Sequence, residues 1–238
     1  MTTTTSAAAT TNGRVYDLDA HLAMVKPAAQ VQAEAAAKAA QDATAEPAPT
    51  FAPMTLADLL SMPPKEWLID QIIGKSDLGM IYGGPGTGKT FVVIDLIMSA
   101  CLGQQWAMRF DVVRPLNVAY AAGEGISGLP ARFAAAAQHY GVDTLGNFTF
   151  FKAVPQLYND NQAADAININ KFVREWKARQ ERGEAKPLDL LVVDTLHTAT
   201  TAADENSSRD MGTVLTACRW AAHELGCAVI LVHHTNKS

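Results

Sequence analysis

Beyond Leu78 the chain alternates between short apolar runs and longer stretches whose apolar positions recur at helical spacing. The runs predict strands at Gly79–Tyr82, Leu116–Ala122, Phe148–Lys152, Asp189–Asp194 and Cys227–Val232. Between them, the spacing predicts helices over Lys89–Leu102, Ile126–His139, Ala164–Arg179 and Asn206–Leu225, the last closed by Gly226 as its C-terminal cap. Strands alternating with helices build an α/β fold, a mostly parallel sheet with helices on both faces. Asp189–Asp194 is strongly apolar, which places it in the middle of that sheet. No internal repeat is visible.

Upstream the pattern is weaker. Met54–Leu60 has helical spacing, Pro63-Pro64 stops it, and Trp67–Ile69 begins a strand-like run. About half of the first fifty residues are Ala or Thr, punctuated by Pro27, Pro47 and Pro49. Such a segment lacks the large apolar side chains needed to offset the entropy of ordering. It is expected to be a disordered low-complexity arm over residues 1–50, with a transient helix over Ala28–Ala45, ahead of one α/β domain over residues 51–238.

Composition narrows the function classes. The 238 residues are 48% hydrophobic, enough for a sizeable core, and only 18% charged with a formal net charge of −5. No whole-chain basic field attracts nucleic acid, so any such contact is local. Nothing approaches the roughly 18 consecutive apolar residues of a membrane span, and no membrane partner is expected. Cys101, Cys218 and Cys227 are widely spaced among apolar neighbours, which suits buried thiols in a reducing compartment. The N-terminus has no basic run followed by an apolar core, and Arg14 is the only Lys or Arg before Lys26, so neither a secretory signal nor a transit peptide is expected. The expected location is cytoplasmic.

The first motif with chemistry is Gly83-Gly84-Pro85-Gly86-Thr87-Gly88-Lys89-Thr90, a glycine, four residues and then Gly-Lys-Thr, set between a predicted strand and a predicted helix. Glycines let the backbone bring its amides within reach of phosphate oxygens, and the helix N-terminus adds further unpaired amides. Lys89 is expected to reach the β- and γ-phosphates of a nucleotide, and the Thr90 hydroxyl to hold Mg²⁺. A metal-side carboxylate at the end of an apolar strand is supplied by Leu190-Leu191-Val192-Val193-Asp194.

The residue after Asp194, where many phosphate-loop ATPases carry a Glu, is Thr195. The base that positions water must then come from another strand end, and Tyr120-Ala121-Ala122-Gly123-Glu124-Gly125 offers a lone carboxylate between two glycines. Glu124 is the expected base, uncovered at the C-terminal edge of the sheet where ligands bind in such folds. A further strand end carries Leu231-Val232-His233-His234-Thr235-Asn236-Lys237. No Asp, Glu or Cys pattern completes a zinc site there, so the paired histidines are read as sensors of the γ-phosphate. Only one of them can face it from an extended strand. His21, His139, His197 and His223 have no partner visible in sequence.

These motifs become specific in combination: Gly-Gly-Pro-Gly-Thr-Gly-Lys-Thr-Phe at 83–91, Ala-Ala-Gly-Glu-Gly at 121–125, Val-Val-Asp-Thr-Leu at 192–196, Asp-Glu-Asn at 204–206 and Val-His-His-Thr-Asn-Lys at 232–237. Together they resemble the RepA-type hexameric helicases of broad-host-range plasmids and related RecA-like ATPases of phages and mobile elements, over roughly residues 54 to 238. The resemblance implies a RecA-like core, ATP with Mg²⁺, a ring of six, and single-stranded DNA threaded through its centre, with a replication initiator or primase as a further partner. Carried over by motif, it makes Gly83 to Phe91 the nucleotide loop, Lys89 and Thr90 the nucleotide and metal residues, Glu124 the catalytic carboxylate and Asp194 the Walker B residue. His234 is the preferred sensor of the His233-His234 pair. Two departures accompany it. The family's core continues past the sensor strand and usually carries an arginine that reaches the neighbouring ATP site, so the C-terminal part of the core is expected to be missing here, with the arginine beyond Ser238. The loop over His197 to Asp210, where the family contacts DNA, is mildly acidic. Two other outcomes stay open: a RecA-like recombination or regulatory ATPase that does not unwind DNA, and a nucleotide-binding oligomerisation module.

Overall fold

The computed structural model describes residues 8–11, 14–17, 52–158, 168–201, 203–205 and 207–235. It divides into two units, Met1–Met62 and Pro63–Ser238. In the first, β1 (Ala8–Thr11) pairs antiparallel with β2 (Arg14–Asp17), and α1 (Leu56–Leu60) starts at a capping box. There Thr55 Oγ1 accepts from the Asp58 amide while the Asp58 carboxylate accepts from the Thr55 amide. The β1–β2 pair lies within the segment expected to be an arm; the Ala28–Ala45 helix lies outside the described residues.

The second unit opens with a small antiparallel pair, β3 (Trp67–Ile69) and β4 (Ile73–Gly74). Its sheet then takes β5 (Leu78–Gly83), α2 (Lys89–Leu102), β6 (Val118–Ala122), α3 (Leu129–Tyr140), β7 (Phe148–Phe151), α4 (Ile169–Glu181), β8 (Leu190–Asp194), α5 (Leu196–Ala199), α6 (Ser208–Leu225) and β9 (Ala228–His234). The strand order is β5-β9-β8-β6-β7 and every pairing is parallel. This is the expected α/β fold, a parallel sheet with helices on both faces, and the apolar Asp189–Asp194 run lies at its centre, as expected from sequence.

Alternation along the central strands feeds two separate cores. Val118, Tyr120, Ala122, Leu190, Val192, Ile230 and Val232 meet Val93, Ile94, Leu96 and Ile97 of α2 on one face. Ala119, Ala121, Leu191, Val193, Val229 and Leu231 meet α4, α5 and α6 on the other, through Val173, Trp176, Leu196, Val214 and Cys218. Cys101, Cys218 and Cys227 are free thiols, all buried. Among the described residues, no helix is long and apolar enough to cross a membrane.

Helix ends follow the local chemistry. Asn168 caps α4 by accepting from the Lys171 amide, Ser207 caps α6 by accepting from the Asp210 amide, and Gly226 closes α6 in the left-handed region at φ 62°. The predicted helix over Ala164–Arg179 is thus observed from Ile169; positions 164–167 lie outside the described residues. The strand predicted to stop at Val232 runs on through His234, because Tyr82 and Gly83 of β5 still offer pairing partners to His233 and His234.

Candidate nucleotide-binding site

The parallel register brings four strand ends to one edge. Ala122 stands opposite Asp194, Asp194 opposite Val232, and Gly83 opposite His234. Beyond Gly83 the chain turns through Gly86 at φ 77° and Gly88 at φ 87° into α2. A Cβ at either position would meet nothing within 4 Å, so backbone geometry and not crowding calls for glycine there. Gly88 is the N-cap and provides no side-chain acceptor, leaving first-turn amides of α2 without a capping side chain.

Lys89 is buried, and its Nζ donates to the carbonyls of Gly83 and Gly84, each at 2.8 Å. Those bonds fold the ammonium back over the loop it belongs to, without an anionic partner. The loop borders a cavity of about 260 Å³ lined by Gly86, Gly88, Lys89, Thr90, Phe91, Arg132 and His234. Arg132, on α3, was not anticipated from sequence; its guanidinium lies 5.4 Å from the centroid of the exposed Phe91 ring. A cation in the first turns of a helix opposes the helix dipole, and that was the available signal.

Asp194 ends β8 at the same sheet edge, opposite Val232 of β9. It is 7% exposed, and its Oδ2 accepts from the hydroxyl of Tyr120 at 2.7 Å. Burial pushes its carboxyl above the usual aspartate range; the Tyr120 hydrogen bond and the charges of His234 and Lys89 pull it back, while Glu124 adds to the rise. Tyr120 was also missed: it sits inside an apolar run, and only the pairing of β6 beside β8 brings its hydroxyl to the carboxylate. Burial, then the Asp194 charge, raises the Tyr120 hydroxyl far above its ordinary range, so it stays a donor.

Glu124 is exposed on the turn after β6, with Gly125 at φ 62° beside it. Its Oε1 accepts from Thr195 Oγ1 at 3.1 Å. The Asp194–Thr195 peptide is cis, and Gly123 donates to the Asp194 carbonyl at 2.6 Å. The two histidines part company as strand alternation requires: His234 lines the cavity, while the Nδ1 of His233 is buried without a hydrogen-bond partner. His197, without a visible partner in sequence, stands 3.1 Å from the Glu205 carboxylate. Asn236 and Lys237 lie outside the described residues.

The donor set fits a magnesium nucleotide. A buried ammonium held by carbonyls, a glycine-rich loop turning through Gly86 and Gly88, a second cation in Arg132 and the buried Asp194 carboxylate at the same sheet edge suit a polyanion and a hard divalent cation. Among known proteins, no curated sequence matches the chain. The crystal structure of the RadB recombinase is similar to it at 21% identity and a TM-score of 0.40, covering 67% of this chain and 62% of that one, so the chain spans less than two thirds of that protein's length. A family model described as AAA domain matches residues 44–238, and the chain belongs to that AAA domain family.

Proposed function

We propose that the chain is an ATP-hydrolysing RecA-like motor, a replicative DNA helicase of the RepA kind from a plasmid, phage or mobile element, working as a hexameric ring on single-stranded DNA. One observation carries the nucleotide chemistry: the parallel register sets Gly83, Ala122, Asp194 and His234 at a single sheet edge, where the Lys89 ammonium is bonded over the loop and Glu124 is bonded to Thr195 beside Asp194. In this reading the loop from Gly83 to Phe91, through its free amides, and the Lys89 ammonium bind the phosphates, Thr90 and Asp194 hold Mg²⁺, and His234 senses the terminal phosphate. Mg²⁺, when bound, supplies charge that offsets the negative charge on the transferred phosphoryl group. Glu124 orients water and accepts its proton, and its exposed place between glycines leaves room for that water. Arg132 adds positive charge to the cavity lining.

A second reading, a regulatory ATPase that does not unwind, is favoured by the acidic loop between α5 and α6, which carries Asp204 and Glu205 where a DNA-threading loop calls for cations. Steady-state ATP hydrolysis with and without single-stranded DNA, beside Glu124→Gln and a forked-duplex displacement assay, tests both. DNA-stimulated turnover with strand displacement, lost in the variant, is the expected result. Turnover indifferent to DNA favours the regulatory ATPase, and turnover unaffected by Glu124→Gln removes Glu124 as the base.

A further inference from the structure

Thr195 occupies the position after the metal-side aspartate, yet it is 1% exposed, too deep to meet solvent or a ligand directly. Its hydroxyl has one proton and two lone pairs, and the surrounding geometry accounts for the proton. Thr198 Oγ1 donates its own proton to the Thr195 carbonyl at 2.9 Å, and it accepts from the Thr195 amide at 3.1 Å. The Thr195 hydroxyl then has two acceptors in reach, Glu124 Oε1 at 3.1 Å and Thr198 Oγ1 at 3.3 Å, and the carboxylate, nearer and charged, takes its proton. The same Thr195 oxygen is the N-cap acceptor of α5, taking the Thr198 amide at 3.4 Å.

One hydroxyl therefore serves two masters: the first turn of α5 and the carboxylate of Glu124. The packing around it is close. A Cβ on Gly123 would come within 2.6 Å of Thr198 Oγ1, so the backbone preceding Glu124 lies directly against the α5 cap. From the far side, Gln156 Nε2 donates to the Thr198 carbonyl at 2.7 Å and the Leu157 amide to the Ala199 carbonyl at 2.7 Å, which pins the helix. Glu124 itself is exposed and flanked by glycines, so without a bond it would keep the rotamer freedom of a surface side chain.

We infer that Thr195 is a positioning residue: its hydroxyl fixes the Glu124 carboxylate for attack by water and ties that orientation to the first turn of α5. This rests on the reading of Glu124 as the base. It also gives a physical reason for a hydroxyl where a carboxylate is common, since the acid sits on the neighbouring strand end and needs a donor beside it.

The test uses the whole chain as wild type, Thr195→Val, Thr195→Ser, Glu124→Gln and the Thr195→Val/Glu124→Gln pair, with saturating turnover and nucleotide affinity measured separately. Displacing a catalytic group by about an ångström lowers rates by about a hundredfold. Thr195→Val is thus expected to lose about tenfold to a hundredfold in turnover with affinity held within about twofold, Thr195→Ser to recover most of the loss, and the pair to be no slower than Glu124→Gln alone. Wild-type turnover in Thr195→Val, an equal loss of affinity, or a further loss in the pair would overturn the inference. Wild-type turnover in Glu124→Gln would instead overturn the reading of Glu124. A second cycle needs no turnover: melting temperatures of Thr195→Val, Glu124→Ala and the pair should be non-additive, and simple addition counts against the contact.

Discussion

The ends of β8 and β6 each present a carboxylate at the same edge of the sheet, and they do so in opposite ways. Asp194 is buried, bonded from inside the core by Tyr120, and raised in pKa by its surroundings. Glu124 is exposed on a glycine-flanked turn and is held from the side by Thr195. Burial suits a group that must bind a cation in one place, because few geometries are open to it and a metal repays its lost hydration. Exposure suits a group that must meet water and exchange a proton with it. In the proposed reading, two acids at the ends of adjacent parallel strands are thus given different work by how deeply each is buried.

The comparison breaks most visibly at Glu124. Glu124→Gln should lower ATP turnover by about 10²- to 10⁴-fold while nucleotide affinity is unchanged, measured by steady-state hydrolysis and by titration with a non-hydrolysable analogue. Asp194→Asn should do the reverse of preserving affinity: Mg²⁺-dependent nucleotide stabilisation in a thermal shift assay is lost. The same variant sharpens the contrast through pH. Because the folded-state pKa of Asp194 is raised, the folded chain holds more protons than the unfolded one just above the ordinary aspartate range. Stability therefore falls as pH rises through that window. Asp194→Asn should flatten the fall and leave the nucleotide-free chain more stable at neutral pH; an unchanged pH profile of urea midpoints would contradict the burial argument.

Tyr120→Phe removes the one inward bond to that carboxylate. A hydrogen bond to a charged buried group contributes about 1.5–3 kcal/mol, so the urea midpoint should drop accordingly, and the Asp194 pKa should rise further. The smallest effect concerns the thiols. Burial pushes Cys101, Cys218 and Cys227 up to about 12, so the native chain at pH 8 should resist alkylation at all three until denatured. Unfolded thiols lose protons near 9 while the folded ones keep theirs to about 12, so stability should decline as pH climbs above about 9.

Much of the fold was legible because its strands are apolar runs with a fixed period and its helices carry caps. The central place of Asp189–Asp194, the helix over Lys89–Leu102 and the cap at Gly226 all follow from local pattern. β3 was legible as the strand-like run at Trp67–Ile69, whereas β4 and α5 were not, since two or four residues carry too little periodicity to stand out. At the site, the loop from Gly83 to Phe91, Asp194 and Glu124 could be picked out because each has a characteristic neighbour in sequence. Tyr120, Arg132 and the Thr195–Glu124 bond could not: their partners are 74, 41 and 71 residues away, and only the parallel register and helix packing bring them together. Alternation required only that His233 and His234 face opposite ways, and the preference for His234 came from the resemblance; of the two, His234 is the one that lines the cavity.

Alternation has a further consequence for how damage spreads. Val192 and Val193 share a peptide bond, yet one packs with α2 and the other with α4 to α6. Sequence neighbours in this sheet belong to different thermodynamic neighbourhoods, whereas Val192 and Ile230, on separate strands, share one. Truncations at Val192 and Val193 should sum to within about 0.5 kcal/mol, and truncations at Val192 and Ile230 should not. The sheet acts as a partition, and a mutation is felt across the strands before it is felt along them.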